Sequence, residues 1–311
     1  MQVTWPRNKK FAFTFCDDTD RATLQNVKPI YDFLESLGMR TTKLVWPLRG
    51  NGDSINGGDT CEDAIYADWL LKIQSKGFEM GLHNVSASSS TREVTERGLE
   101  RFRSLFDAPP KIHANHTGCL ENIYWGSSRV SGWRRRLYNY WTNGKNRDIS
   151  RGHVEGDPLF WGDLCKDQIT YVRNFTCDAL NTLRFCPEMP YHDANKPYVN
   201  FWFACSNASS PQYFRKNFSI PLVDRLIDEG GLCIVYAHFG IGFYRNGEID
   251  SHFREVIEHV ASKEGWFAPV SEILGFLRND EDTTVRTISP FRLQKLELKW
   301  FKDKYGKQPG I

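Results

Sequence analysis

The chain has 311 residues, 40% of them hydrophobic, and a formal net charge of +2. That is enough material for one large α/β domain, and the near balance of charge excludes global steering toward nucleic acid or a membrane surface. No apolar run approaches the length of a membrane span and the start MQVTWPRNKKF has no apolar signal core, so a cytoplasmic protein without a transmembrane segment is expected.

In chain order, FAFTFC predicts a buried strand, and RATLQNVKPIYDFLESLG predicts a helix that stops at Gly38. TTKLVW repeats the strand signal, RGNGDSINGGD is a loop, and CEDAIYADWLLKIQSKG is a helix ending at Gly77. FEMGLH is the third strand. Ser90 and Glu93 form a capping-box pattern ahead of the helix STREVTERGLERFRSLF, and PKIHANH is strand four. From about 117 to 165 the regularity lapses into a stretch rich in Gly, Asn, Arg and aromatics, too long for a simple connection and therefore expected to be functional. ITYVRNF, TLRFCPE and YVNFWFACS resume the strand pattern. NFSIPLVDRLIDEGG (helix), LCIVYAH (strand), SHFREVIEHVASKEG (helix), WFAPV (short strand) and SEILGFL (helix) follow. Six or more βα alternations predict an α/β fold with a parallel, barrel-like sheet over 1–280. The segment 281–311 holds an amphipathic, Lys-rich helix that packs on the body or on a partner, including a second copy of the chain.

The eight cysteines form no C-x-x-C pair and several lie in strand-like runs, which favours reduced, buried thiols over disulfides or a zinc–thiolate site. Polar residues collect instead at strand ends, where a parallel barrel binds its ligands. Strand one ends in Asp17-Asp18, strand three in His83, strand four adds His113, Asn115 and His116, and the late strand LCIVYA ends in His238. Imidazole and carboxylate together suit a borderline divalent ion, and such an ion acidifies a water from a pKa of roughly 16 to about 7. A second carboxylate can take the water's proton, and a histidine across the site can protonate a leaving nitrogen. Metal-assisted hydrolysis is the chemistry that needs this set.

These residues resemble motifs of the polysaccharide deacetylase family, the NodB-homology carbohydrate esterases. TFCDDTD is similar to the first motif, T-F-D-D-G, GFEMGLHNVS to the G-h-E-I-G-x-H stretch, and CIVYAH with the following FG to the late motif; WFAPVSEILGFL is similar to the terminal strand and helix. The resemblance spans roughly residues 10 to 278. It implies a distorted (β/α) barrel, with Asp17 as general base, Asp18 and His83 as metal ligands, and His238 as general acid. It also implies a divalent ion, zinc, with cobalt or nickel as alternatives. Three positions depart from the pattern. Ala87 stands where the family places a second metal histidine, Thr19 replaces the Gly after the Asp pair, and IHANHTG replaces R-x-x-P-Y on strand four. His116, or in second place His113, is the expected third ligand. A water or Ser88 as a weak ligand, and a site without metal, are the two alternatives.

Substrate expectations rest on the stretch ENIYWGSSRVSGWRRRLYNYWTNGKNR, which interleaves Tyr124 and Trp125 with a basic run containing Arg134 and Arg135. Aromatics stack on sugar faces and Arg clamps phosphates, so a diphosphate-linked sugar is expected and nucleic acid is not. A second cluster, RFCPEMPYHDANKPYVN, offers Arg184, Tyr191, His192 and Asp193; His113 and Asn115 join these as candidate substrate contacts. The resulting reading is a metal-dependent N-deacetylase acting on an N-acetyl amino sugar in a nucleotide- or lipid-linked surface-glycan precursor. The alternative is a catalytically silent carbohydrate-binding or scaffold relative.

Overall fold

The computed structural model of the protein describes residues 3–51, 56–278 and 286–305. Seven parallel strands close into a barrel: β1 (Phe11–Asp17), β2 (Thr42–Val45), β3 (Glu79–Leu82), β4 (Ile112–His113), β5 (Tyr171–Cys177), β6 (Phe201–Ala208) and β7 (Leu232–Ala237). Closure is made by β1 on β7, in register from Ala12↔Leu232 to Asp17↔Ala237. The short β8 (Tyr244–Arg245) and β9 (Glu248–Ile249) form a hairpin, and β10 (Gly265–Trp266) pairs with the start of β1, while β2 pairs with its end at Cys16↔Thr42 and Asp17↔Lys43. Two strands thus share one edge of β1, which distorts the barrel. This is the parallel (β/α) barrel expected from the alternation.

The helices are α1 (Leu24–Ser36), α2 (Ala64–Ser75), α3 (Arg92–Phe106), α4 (Gly132–Trp141), α5 (Gly162–Gln168), α6 (Thr182–Phe185), α7 (Pro211–Asn217), α8 (Ile220–Asp228), α9 (Ser251–Ala261), α10 (Val270–Arg278) and α11 (Pro290–Tyr305). The alternation of β1 decides what each face meets. Phe15, on the odd face, packs on Phe239 and on Phe253 of α9 at ring separations of 5.1 and 5.9 Å. Cys16, on the even face, points into the barrel, with its Sγ 3.7 Å from Arg173 Nη1 of β5. All eight cysteines are buried and free.

Local expectations are corrected at three places. TLRFCPE is not a strand: Asn181 accepts a hydrogen bond from the Arg184 amide and starts the short helix α6. The cap of α3 is Thr91, which accepts from Val94 N, whereas Ser90 is buried and bonded to Ser86 and Ser88. The 117–165 stretch is partly regular, carrying a 3₁₀ turn at Gly126–Arg129, then α4 and α5. Helix α11 packs on the body: Trp300 lies against Tyr138 of α4 at 5.9 Å and Phe175 of β5 at 5.3 Å, and buried Glu297 takes Arg134. The boundary expected at 280/281 and part of the RGNGDSINGGD loop fall outside the described residues. Among the described residues no helix is long and apolar enough to cross a membrane.

Candidate metal centre and cleft

Strand parity separates the two adjacent aspartates. Asp17 lies on the odd face beneath α1, where it accepts from Lys43 Nζ at 2.8 Å, Tyr31 Oη at 3.0 Å and the Phe239 amide at 2.8 Å. Both partners of the Lys43–Asp17 pair have side-chain exposure of 0%. Burial pushes the Asp17 carboxyl upward, against the pull of Lys43 and the hydrogen bonds to Phe239 and Tyr31. With all its partners on the helix side of the sheet, Asp17 does not face the cleft. The expected general base is therefore corrected: Asp17 is a structural ion-pair partner.

Asp18 turns inward. Both its oxygens accept from Arg173, at 2.6 and 2.6 Å, and its own amide donates to Ala237 O of β7 at 2.8 Å. Burial alone would raise the Asp18 carboxyl, but the Arg173 guanidinium, with His83 and His238, holds it below the usual carboxylate range. This bidentate clamp engages both oxygens expected to bind metal, and a second inward carboxylate, Asp20, stands two residues on.

Asp20 Oδ2 lies 3.0 Å from His83 Nε2, and Asp20 Oδ1 lies 3.5 Å from His116 Nδ1. The two facing histidine nitrogens are 3.1 Å apart. Ligands about 2.0–2.1 Å from one tetrahedral ion stand about 3.3–3.4 Å from one another, so this triad has the span of a cation's coordination shell. All three residues are buried and can offer their ligand atoms together. The chemistry of the donors agrees. His83 Nδ1 lies 3.0 Å from Ala114 O; donating there leaves the lone pair of Nε2 facing the Asp20 carboxylate and a second imidazole nitrogen, an arrangement that needs a positive charge between them. The residues present therefore fit a divalent ion.

The loop after β4 is built to hold His116 in place. Asn84, in a left-handed conformation at φ 51°, accepts the His116 amide at 3.3 Å and donates to Glu121 and Asn122 at 2.9 Å each. Asn122 returns a hydrogen bond to His116 O at 2.7 Å. Trp46 closes the other side, 6.1 Å from His83 and 5.2 Å from His116.

His238 completes the rim from the end of β7. Its Nε2 stands 3.4 Å from Asp20 Oδ2 and 3.7 Å from Asp18 Oδ2, and its Nδ1 lies 2.9 Å from Ser209 O. Burial lowers its pKa, but the hydrogen bond to Asp20 and the charge of Asp18 outweigh it and the net shift is upward. Tyr236 Oη sits 3.1 Å away. Gly240, two residues on, approaches the loop after β1 so closely that a Cβ would stand 2.5 Å from Ala22 N.

These groups line a cleft of about 450 Å³, bounded also by Asn115, Trp125, Arg129, Tyr213 and Lys304. Of the expected substrate contacts only Trp125 and Asn115 reach it, and Asn115 spends its amide pinning the loop through Ile123 N and O. His113 is buried beside Trp161, with burial first among the causes lowering its pKa to about 3, and it is not in the triad. Tyr124 packs on His153 and Trp202. Arg134 is held by Glu297, Arg135 is exposed outside the cleft, and Arg184 pairs with Glu229 on the surface. Tyr191 is buried against Trp202; His192 bonds Asn200 O; Asp193 pairs with Lys196. None of these eight enters the cleft. Asp20, Arg173, Tyr213, Tyr236 and Lys304 are among the cleft residues that sequence reasoning missed.

No protein-family model and no curated protein matches the chain. Among solved structures it is similar to a protein of Mycobacterium smegmatis assigned to the polysaccharide deacetylases, 14% identical with a TM-score of 0.48, over 93% of this chain and 96% of that one. A protein of Pseudomonas aeruginosa PAO1 assigned to the same class is 11% identical with a TM-score of 0.49, over 90% and 95%. The peptidoglycan deacetylase PdaC of Bacillus subtilis, solved as a mutant, is 13% identical with a TM-score of 0.42, over 89% and 95%. Likeness at these identities is one of architecture and does not carry residue roles.

Proposed function

We propose that the chain is a metal-dependent amide hydrolase that removes the acetyl group from an N-acetyl amino sugar of a surface-glycan precursor. The observation that supports this most directly is the meeting of three donors, Asp20, His83 and His116, with a clamped carboxylate and the His238 imidazole at one cleft. In this reading Asp20, His83 and His116 hold the ion, with zinc first and cobalt or nickel as alternatives. A divalent ion so held supplies Lewis-acid polarisation of the acyl oxygen and lowers the pKa of water.

The remaining work falls to the chain's own side chains. Asp18, kept ionised by Arg173, accepts the proton of the attacking water as its oxygen bonds to the acyl carbon. His238, oriented by Ser209 O, donates from Nε2 to the nitrogen as the C–N bond breaks, so acetate and a free amine leave. Trp125 and Tyr213, both on the cleft wall, offer faces for a sugar ring.

The test combines metal content with acetate release from N-acetyl sugars in the presence of zinc, cobalt or nickel. Asp20→Asn, His83→Ala and His116→Ala are expected to lose most bound metal. Asp18→Asn should keep it and lose turnover by at least about 10³-fold, the scale of one positioned acid–base group. Undiminished metal in all three ligand variants would sink the assignment.

A further inference from the structure

We propose that Arg129 and Lys304 form an anion subsite in this cleft, one that takes a phosphoryl group attached to the sugar. The inference rests on the hydrolase reading for the sugar's placement, but the subsite itself is argued from separate residues.

Arg129 comes from the 3₁₀ turn in the irregular 117–165 stretch and Lys304 from the last turn of α11, and both line the cleft that holds Asp18, Asp20 and His238. The Arg129 guanidinium carbon lies 3.8 Å from the Trp125 ring centroid and 5.1 Å from that of Trp300, which fixes its plane. Lys304 Nζ lies 5.1 Å from the same Trp300 ring, so one indole holds both cations. Arg129 is only 4% exposed, its Nε has no hydrogen-bond partner, and neither side chain pairs with a carboxylate among the described residues. The other buried cation of the cleft, Arg173, is answered by Asp18.

Burying the Arg129 guanidinium with an open Nε and no counter-charge is costly, and exposed Lys304 beside it adds a second positive charge instead of relieving the first. Burial brings Arg129 down to about 10. A phosphoryl oxygen at this place would satisfy the open Nε and answer both positive charges. The rigid fork of Arg supplies direction and the flexible Lys reaches the remaining oxygens. The same cleft has an aromatic wall for the ring, so a sugar phosphate fits it better than free phosphate.

The probe is glucose 1-phosphate against glucose, titrated calorimetrically into the full chain as purified. Neither sugar has an amide to hydrolyse, so the readout is independent of turnover. Glucose 1-phosphate is expected to bind and glucose to bind at least about tenfold more weakly, with the preference fading at high salt. Arg129→Gln and Lys304→Gln should each remove most of that preference, while the surface control Arg184→Gln keeps it. Lys304 sits at the end of the last helix, so its variant reports even if Arg129→Gln folds poorly. Uridine-diphosphoglucose binding more tightly than glucose 1-phosphate would place a nucleotide on the substrate, and equal binding would make the phosphoryl group sufficient. Equal affinity for glucose and its phosphate, or a preference unchanged in both variants, overturns the subsite. A preference lost only in His83→Ala would do so too. Loss of the hydrolase reading, by contrast, would appear in metal content and leave these titrations untouched.

Discussion

Asp17→Asn separates the two readings of the aspartate pair. The change is isosteric and keeps the acceptor for the Phe239 amide, so it removes little but charge. What it leaves is Lys43, with 0% side-chain exposure and its ammonium 2.8 Å from an amide instead of a carboxylate. Stranding one member of a buried pair costs about 3–5 kcal/mol. At about 2.1 cal/mol/K of unfolding entropy per residue, a chain of 311 residues loses roughly 1.5 °C of Tm per kcal/mol, so the variant should melt about 5–8 °C below the parent.

The assay is calorimetric melting alongside metal analysis and acetate release. Metal content should be unchanged and turnover below the new melting point should stay within about tenfold of the parent, because Asp17 touches neither the triad nor the cleft. Asp17→Asn combined with Lys43→Met should recover much of the lost Tm, since removing the ammonium as well no longer leaves a buried charge. A variant with the parent's Tm and turnover reduced by 10³ or more would refute the structural role and restore Asp17 as the base.

Two further outcomes follow from the charged groups around the triad. His238 must be protonated to act as the acid, and its pKa is raised above 6.5, so kcat should fall as pH rises through that shifted value; His238→Ala should abolish the alkaline limb together with most of the rate, and a limb that persists in the variant assigns it elsewhere. Glu121, buried with one oxygen unpartnered, has its pKa raised from 4.5 to about 7, chiefly by burial. The native state then holds a proton between those values that the unfolded chain has lost, so stability falls as pH rises through this window, by on the order of 3 kcal/mol in total. Glu121→Gln should flatten that part of the profile in denaturant melts between pH 5 and 8, and parallel curves for the two proteins would rule out Glu121 as its source.

The barrel was legible because its signals are periodic: aromatic alternation in FAFTFC and amphipathic spacing in α1, α3 and α9 survive any tertiary context. The ends of β1, β3 and β7 were legible for the same reason, and they delivered Asp18, His83 and His238 to one cleft. What failed depended on distance across the barrel. Arg173 sits inside ITYVRNF, where a charge in an apolar strand asks for a buried partner, but only closure shows that the partner is Asp18. Lys43 in TTKLVW posed the same question, and its answer takes Asp17 out of the site. The basic run around Arg134 and Arg135 read as a phosphate clamp from composition alone; Glu297, more than 160 positions away, takes the first of them.

The spacing Asp18-Thr19-Asp20 carries the deeper constraint. Neighbours on a strand face opposite sides, so an adjacent pair cannot supply both a base and a ligand to one cleft while the strand continues. Two residues apart, they can. The strand ends at Asp17, Asp18 is tied to β7 through its amide and to β5 through Arg173, and the chain then turns, with the Ala22 amide donating to Thr19 O, to bring Asp20 back over the same cleft. Barrel closure is thus a condition of the proposed chemistry: the β1–β7 pairing that completes the sheet also sets Asp18 and Asp20 within 3.7 Å and 3.4 Å of His238. A substitution that loosens that seam without touching a polar side chain, such as Gly240→Ala, must push Ala22 and the loop after β1 away. It should lower turnover and metal content together while the remaining strands stay paired. Normal metal binding in Gly240→Ala would show that the seam does not set the site.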